Sequence, residues 1–260
     1  MSIKVNCTSR AGINNILVIF FACLWLSSFF FAEKAAALTI PEKLIYDLTW
    51  TGIKAGTATQ EITADKGEIK IVSIARSADW ITVFFPVEDR IESVLTSNPD
   101  SNFGHSKSYS LKTREGNHRR DREIQFNHAK GIAYYKDNLN GEKKELPIVP
   151  ATLDTLSSFY YVRTLNLEVG KSVFLTILDN TKTWKVEVQV LRKEKIKTSL
   201  GTFSTIVIKP LMQSEGIIDR KGDMLIWLTD DSRLLPVKMK TKVKIGSVTA
   251  TLVGGTYKRQ

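Results

Sequence analysis

The residues of this 260-residue chain best suited to chemistry crowd into one tract, 105–128. It holds all three histidines together with Arg114, Arg119, Arg120, Arg122, Asp121 and Glu123. Neutral imidazole binds metals and titrates near neutrality, so histidines beside carboxylates suggest a metal or acid/base centre. The spacing opposes it. On a strand, alternate residues share a face, which places His118 beside the fixed cations Arg120 and Arg122 and turns Arg119, Asp121 and Glu123 the other way. Two guanidinium groups repel a metal ion, yet they grip phosphate or carboxylate through paired N–H donors. The tract therefore reads either as a solvated hairpin or as an anion-binding face built on Arg120 and Arg122, with Arg114 nearby; no metal and no cofactor is expected.

Nucleophilic catalysis has thinner support. Ser157 and Ser158 lie close to Asp154, but no histidine is near them in sequence and no Gly-x-Ser-x-Gly elbow occurs. Asp154 reads more simply as a helix-start residue favoured by the macrodipole. The acidic pair Asp230-Asp231 reads as turn chemistry, because Asp side chains accept from nearby backbone amides in tight connections. Trp50, Trp80, Trp184 and Trp227 suit core or rim packing. Trp50 and Trp227 also complete the candidate ligand-binding set with Arg114, Arg120 and Arg122, as aromatic surfaces for the apolar part of a ligand.

The elements that must position these residues are strands. From Leu44 onward, β-branched and aromatic residues recur at every second position between Gly, Asn and Asp punctuation. Strands are predicted over 44–50, 55–63, 68–75, 90–95, 107–113, 119–126 and 131–136, and again over 173–179, 182–193, 194–198, 203–209, 224–229, 236–243 and 247–253. Residues 78–85 are ambiguous between strand and short helix. A turn is expected at Asn98-Pro99-Asp100 and another at Gly222-Asp223. One segment has a helical period: at 152–163, after Pro150, Leu153, Leu156 and Tyr160 fall on one face, with Thr152 or Asp154 as the cap. No linker divides the strands. The expected fold is mainly β, a single domain over 38–260 with all-antiparallel connections: a large curved sheet or open β-barrel with one covering helix, or alternatively a two-sheet sandwich.

The first 37 residues look like a targeting segment. Lys4 and Arg10 precede an apolar run at 16–32, and Ala35-Ala36-Ala37 supplies small residues for a signal peptidase. A signal peptide implies a periplasmic or secreted protein; an uncleaved segment would anchor it to the inner membrane through 16–32. Both cysteines, Cys7 and Cys23, lie in that segment, so the remaining domain has no thiol for a disulfide or a thiolate site. The formal charge of +10 falls to +8 without residues 1–37, which contain Lys4, Arg10, Lys34 and Glu33. This favours anionic envelope partners such as phospholipid head groups or lipopolysaccharide, and not nucleic acid.

Four spaced motifs carry a resemblance. They are Tyr46-Asp-Leu-Thr-Trp50 with Gly52-Ile-Lys-Ala-Gly56, Pro86-Val-Glu-Asp-Arg90, Leu153-Asp-Thr-Leu-Ser-Ser-Phe-Tyr-Tyr-Val-Arg163, and Ile226-Trp-Leu-Thr-Asp-Asp-Ser-Arg-Leu-Leu-Pro236. In this order they resemble the bacterial exported family called domain of unknown function 3108, over 42–254; the resemblance implies an exported protein and little about activity. The hairpin from Trp227 to Val237 is also similar to that of periplasmic lipoprotein carriers of the LolA and LolB kind, which implies an open β-barrel with a helical lid. The expectation that follows is a non-enzymatic cell-envelope protein that binds an anionic or lipid-like ligand, a lipoprotein or another envelope protein through a curved sheet. A filled interaction module with no small ligand is the second expectation, and a hydrolase of an envelope substrate the third.

Overall fold

The computed structural model describes residues 38–96, 103–214, 217–219, 224–243 and 245–256, all within one compact unit, Ala35–Gln260. The targeting segment and the turns expected at Asn98-Pro99-Asp100 and Gly222-Asp223 lie outside these residues. Among the described residues, no helix is long and apolar enough to cross a membrane.

In chain order the elements are β1 (Glu42–Trp50), β2 (Ile53–Asp65), β3 (Glu68–Ser77), α1 (Asp79–Thr82), β4 (Val87–Thr96), β5 (His105–Glu115), β6 (His118–Asn127), β7 (Ile132–Asp137), β8 (Lys143–Pro147), β9 (Leu153–Asp154), α2 (Thr155–Val162), β10 (Ser172–Asp179), β11 (Lys182–Thr198), β12 (Gly201–Ser214), β13 (Ile217–Asp219), β14 (Met224–Thr229), β15 (Pro236–Lys242) and β16 (Ser247–Thr256). All the strands join one sheet, in the order β8-β7-β6-β5-β4-β3-β2-β1-β16-β15-β14-β12-β11-β10-β9, with β13 paired to β12. This is the single curved sheet, not the sandwich.

The order itself forces the curvature. Laid flat at about 4.8 Å per strand, the path would hold β8 and β9 roughly 65 Å apart. Yet only residues 148–152 connect them, a reach of at most about 22 Å. The sheet must therefore curl until its two ends approach, and the buried hydrogen bonds from β9 to β4 and β5 described below span that gap.

Three expectations are corrected. The connections are not all antiparallel: β9 runs parallel to β10, pairing Leu153 with Ile177 and Asp154 with Leu178. Parallel neighbours require a crossover, and α2 is that crossover. The helix is accordingly shorter than 152–163, since Leu153 and Asp154 belong to the strand. Residues 182–198 form one strand instead of two. The break expected near residue 194 is a register shift between Val190 and Arg192, where a bulge leaves Leu191 out of the ladder. Residues 78–85 resolve as α1 and the turn after it.

The larger core cluster gathers Ile62, Ile71, Leu95, Ile124, Tyr135, Val188, Ile206, Ile208, Ile226 and Leu228 around Leu153, Leu156 and Tyr160 of the helical segment. The predicted helix face is thus the buried one. A second cluster joins Leu44, Tyr46, Val237 and Leu252 to Val207 and Trp227. Val207 and Trp227 alternate with Ile206, Ile208, Ile226 and Leu228, so both faces of β12 and β14 are buried. That doubly buried region accounts for the near-continuous apolar runs there.

Candidate functional site

Cross-strand pairing orders the helix-facing side of β4–β7 into rows, because paired residues share a face. Nearest α2 lie Ser93, Tyr109, Ile124 and Tyr135; next come Ile91, Leu111, Arg122 and Asp137; beyond them Asp89, Thr113 and Arg120; and last Val87, Glu115 and His118. Tyr109 Oη accepts from Thr155 Oγ1 at 3.0 Å, which fixes this side as the one toward the helix. The face grades from apolar core to charged rim over the six residues from Ile124 to His118. β2 and β3 extend the second row with Gln60 and Ser73. Gln60 Oε1 is buried and has no hydrogen-bond partner, an arrangement that ordinarily costs about 1–3 kcal/mol unless a donor reaches it.

Arg120 and Arg122 share this face, as the strand period predicts. Arg122 is a quarter exposed; its Nε lies 3.3 Å from Asp137 Oδ2, which also accepts from Tyr135 Oη at 3.4 Å. Backbone amide donation from Leu139 is the main cause that holds the Asp137 carboxyl below its usual range, with Arg122 adding to it. Arg120 is 44% exposed and only 3.7 Å from Glu115 Oε2, a loose pair that leaves donors toward solvent. Asp89 Oδ1 accepts from the Arg114 amide at 3.1 Å. Burial, reinforced by the Glu115 charge, pushes the Asp89 carboxyl up to about 6.

The other predicted site residues lie elsewhere. Arg114 pairs with Arg119 and Glu88 on the opposite face of β5. Trp50 stands at the β1–β2 turn, its Nε1 donating to the Ile245 carbonyl at 2.8 Å. Trp227 is buried; its indole donates to Glu194, and Lys238 Nζ sits 5.0 Å from its ring centroid. Asp231 does what a turn residue does, accepting from Thr229 Oγ1 and the Arg233 amide at 2.8 and 3.0 Å. Asp230 pairs with Lys193 at 2.8 Å.

What the sequence did not reveal is how α2 is held. Asp154 is fully buried, and its Oδ1 accepts from the Leu156 and Ser157 amides at 3.0 and 2.8 Å. Its Oδ2 accepts from the hydroxyls of Ser93, Ser106 and Ser157 at 2.7, 2.8 and 2.8 Å. The carboxylate so engaged is closed to solvent and caps the helix. At the other end, Arg163 donates to both carboxylate oxygens of Glu42 at 2.7 and 2.9 Å and to the Leu234 carbonyl at 3.1 Å, with both side chains nearly inaccessible. Burial opposes its charge, but the Glu42 hydrogen bonds and charge outweigh that and keep the guanidinium above its usual value. Tyr46 Oη reaches across to the Pro236 carbonyl at 2.9 Å. The residues of three of the four spaced sequence motifs thus meet in the clamps around one helix.

One solved structure agrees with the architecture. A β-barrel-like protein of a domain of unknown function, DUF1849, from Brucella abortus superposes with a TM-score of 0.52 at 12% identity, covering 85% of this chain and 98% of that one. A putative exported protein with a YmcC-like fold from Bacteroides fragilis matches with a TM-score of 0.32 at 9% identity over the same shares of the two chains. The first likeness concerns the fold alone. No curated protein matches the chain. The sequence pattern of one family does match, over residues 45–253, and with most of the sheet inside that span the chain belongs to the family described as Protein of unknown function (DUF3108).

Proposed function

We propose that this protein is a non-enzymatic cell-envelope protein that binds an anionic, lipid-like ligand on the helix-facing side of its curved sheet. The head group lies against Arg120 and Arg122, and the apolar part lies along Ile91 and Leu111. The observation that carries this is the gradation of that face, apolar beside α2 and charged toward the rim, with Arg122 two and Arg120 four residues from Ile124 along β6. Arg120 supplies solvent-facing donors, and the buried, unpartnered Gln60 oxygen on the same face offers an acceptor to a hydroxylated head group. Sites of this kind combine apolar lining with a few converging polar groups.

A second reading, an interaction module with no small ligand, is favoured by the packing beside α2, where Ile71, Leu95, Ile124 and Tyr160 are buried against one another. The two separate on native mass spectrometry of the protein purified from envelopes, in which a bound amphiphile is expected. Binding of a short-chain phosphatidylglycerol at low ionic strength should weaken about tenfold or more in the Arg120→Ala, Arg122→Ala double variant, given the strength of charge-assisted hydrogen bonds. Unchanged binding in a variant that still folds retires the site.

A further inference from the structure

The connections β15/β16, β1/β2, β3/β4 and β5/β6 stand side by side along one edge of the sheet, because those strand pairs are consecutive in its order. Three of them carry bare apolar side chains. Val243 and Ile245 lie on the first, Trp50 and Ile53 flank the second, and Trp80, Val83, Phe84 and Phe85 occupy the third. Val83 and Phe84 are 77% and 83% exposed.

These groups form one continuous patch. Trp50 Nε1 donates to the Ile245 carbonyl, and Trp50 pairs with Ile53 across the hairpin. Trp80 Nε1 donates to the Lys54 carbonyl at 3.1 Å. The Phe85 ring closes on the fourth turn so tightly that a Cβ at Gly116 would stand 2.6 Å from it, and the Gly116 amide donates to the Pro86 carbonyl at 2.8 Å. Gly116, at φ +59°, is the residue type that both the turn and this approach require.

A contiguous apolar patch of this extent marks a contact surface. Its chemistry names the partner. The side chains crown turn tips, which suits a deformable surface better than a single inserted chain. Both indoles are tied by N–H bonds to backbone carbonyls, so their rings are set at the boundary between the apolar tips and the polar body, as interfacial tryptophans are. Exposed Lys54, Arg76, Arg114 and Lys242 stand on the strands just behind the tips, with Asp79 and Glu88 among them, and residues 38–260 carry a net +8.

We infer that this rim docks onto an anionic phospholipid bilayer, Val83 and Phe84 passing below the head groups while the cations meet the phosphates. The inference rests on the apolar turn tips and stands whether or not Arg120 and Arg122 hold a ligand.

Hydrogen exchange of the full-length chain, followed in peptides covering 78–86 and 243–246, tests it locally, whatever residues 16–32 do on the same membrane. Vesicles of phosphatidylcholine mixed with phosphatidylglycerol should slow exchange in these peptides severalfold, and vesicles of phosphatidylcholine alone should slow it less. Val83→Ser with Phe84→Ser should weaken the effect about tenfold or more for each side chain, whereas Lys195→Ala with Lys197→Ala, beside the β11/β12 turn at the opposite edge of the sheet, should leave it intact. Exchange unchanged by vesicles overturns the inference. So does protection that grows with protein concentration in their absence, which would assign the rim to a second copy.

Discussion

Asp89 shows how a single residue couples the helix-facing side of the sheet to pH. Its carboxyl ordinarily titrates at 3.8 and here is raised to about 6, by burial first and the Glu115 charge second. A raised carboxyl pKa means that the folded chain holds more protons than the unfolded one between those values. The contribution of Asp89 to stability therefore falls as pH rises from about 4 to 6 and then levels. Asp89→Asn should flatten that limb of the stability profile, measured as urea midpoint against pH, while carboxyl NMR of the parent should report the elevated titration. An Asp89 titrating near 4 would disprove the assignment. Asp89 was present in the sequence motif Pro86-Val-Glu-Asp-Arg90, but nothing there distinguished it. Its burial and its neighbours come from the register that sets it opposite Thr113 and, one strand further, Arg120. Arg120 and Arg122 were legible because strand alternation alone places them together; Arg114 and Trp227 were not, since each falls on the other side of its own strand.

Among the elements, α2 is the one whose anchorage decides most. It spans only about two turns, too short to persist by itself, and both of its ends are held by buried charge of the sign that the macrodipole favours. Asp154→Ala removes the acceptor for three serine hydroxyls and two helix amides, and is expected to destabilise by about 3 kcal/mol or more. Arg163→Met leaves the Glu42 carboxylate buried without its partner, a change of about 3–5 kcal/mol. The double variant Glu42→Gln, Arg163→Met should recover part of that loss, as chemical denaturation would show. Additive losses in the double variant would mean that the pair is not coupled. The helix and its cap were readable from Pro150, Asp154 and the spacing of Leu156 and Tyr160. Its clamps were not, because Ser93 and Ser106 lie 61 and 48 residues from Asp154, and Glu42 lies 121 from Arg163. Period-two patterning likewise located most strands but could not show that β9 breaks the antiparallel rule, since two residues carry no period.

At the scale of the whole molecule, the order of strands is the informative quantity. The sheet follows sequence neighbours nearly everywhere, except that β1 lies against β16, pairing Lys43 with Thr256. Thr49 Oγ1 and the carbonyl of Thr249, 200 residues away, sit across this seam. Long-range pairing of that kind makes folding slow. A chain ending before residue 247 should leave β1 and β15 as bare edges and yield aggregated material instead of a weakened fold, a difference readable by light scattering after refolding. Soluble, cooperative unfolding of that truncation would contradict it.

Because the two ends of the described chain are hydrogen-bonded neighbours, where this polypeptide starts is arbitrary as far as its geometry is concerned. The ribosome makes it matter: β1 is born first and must wait, one edge open, until the final strand has been made. A circular permutant that joins residue 256 to residue 42 through a short linker, and opens in the 138–142 turn, would deliver β16 and β1 as adjacent hairpin partners. The same sheet would then form with its seam closed by a local step instead of the last one.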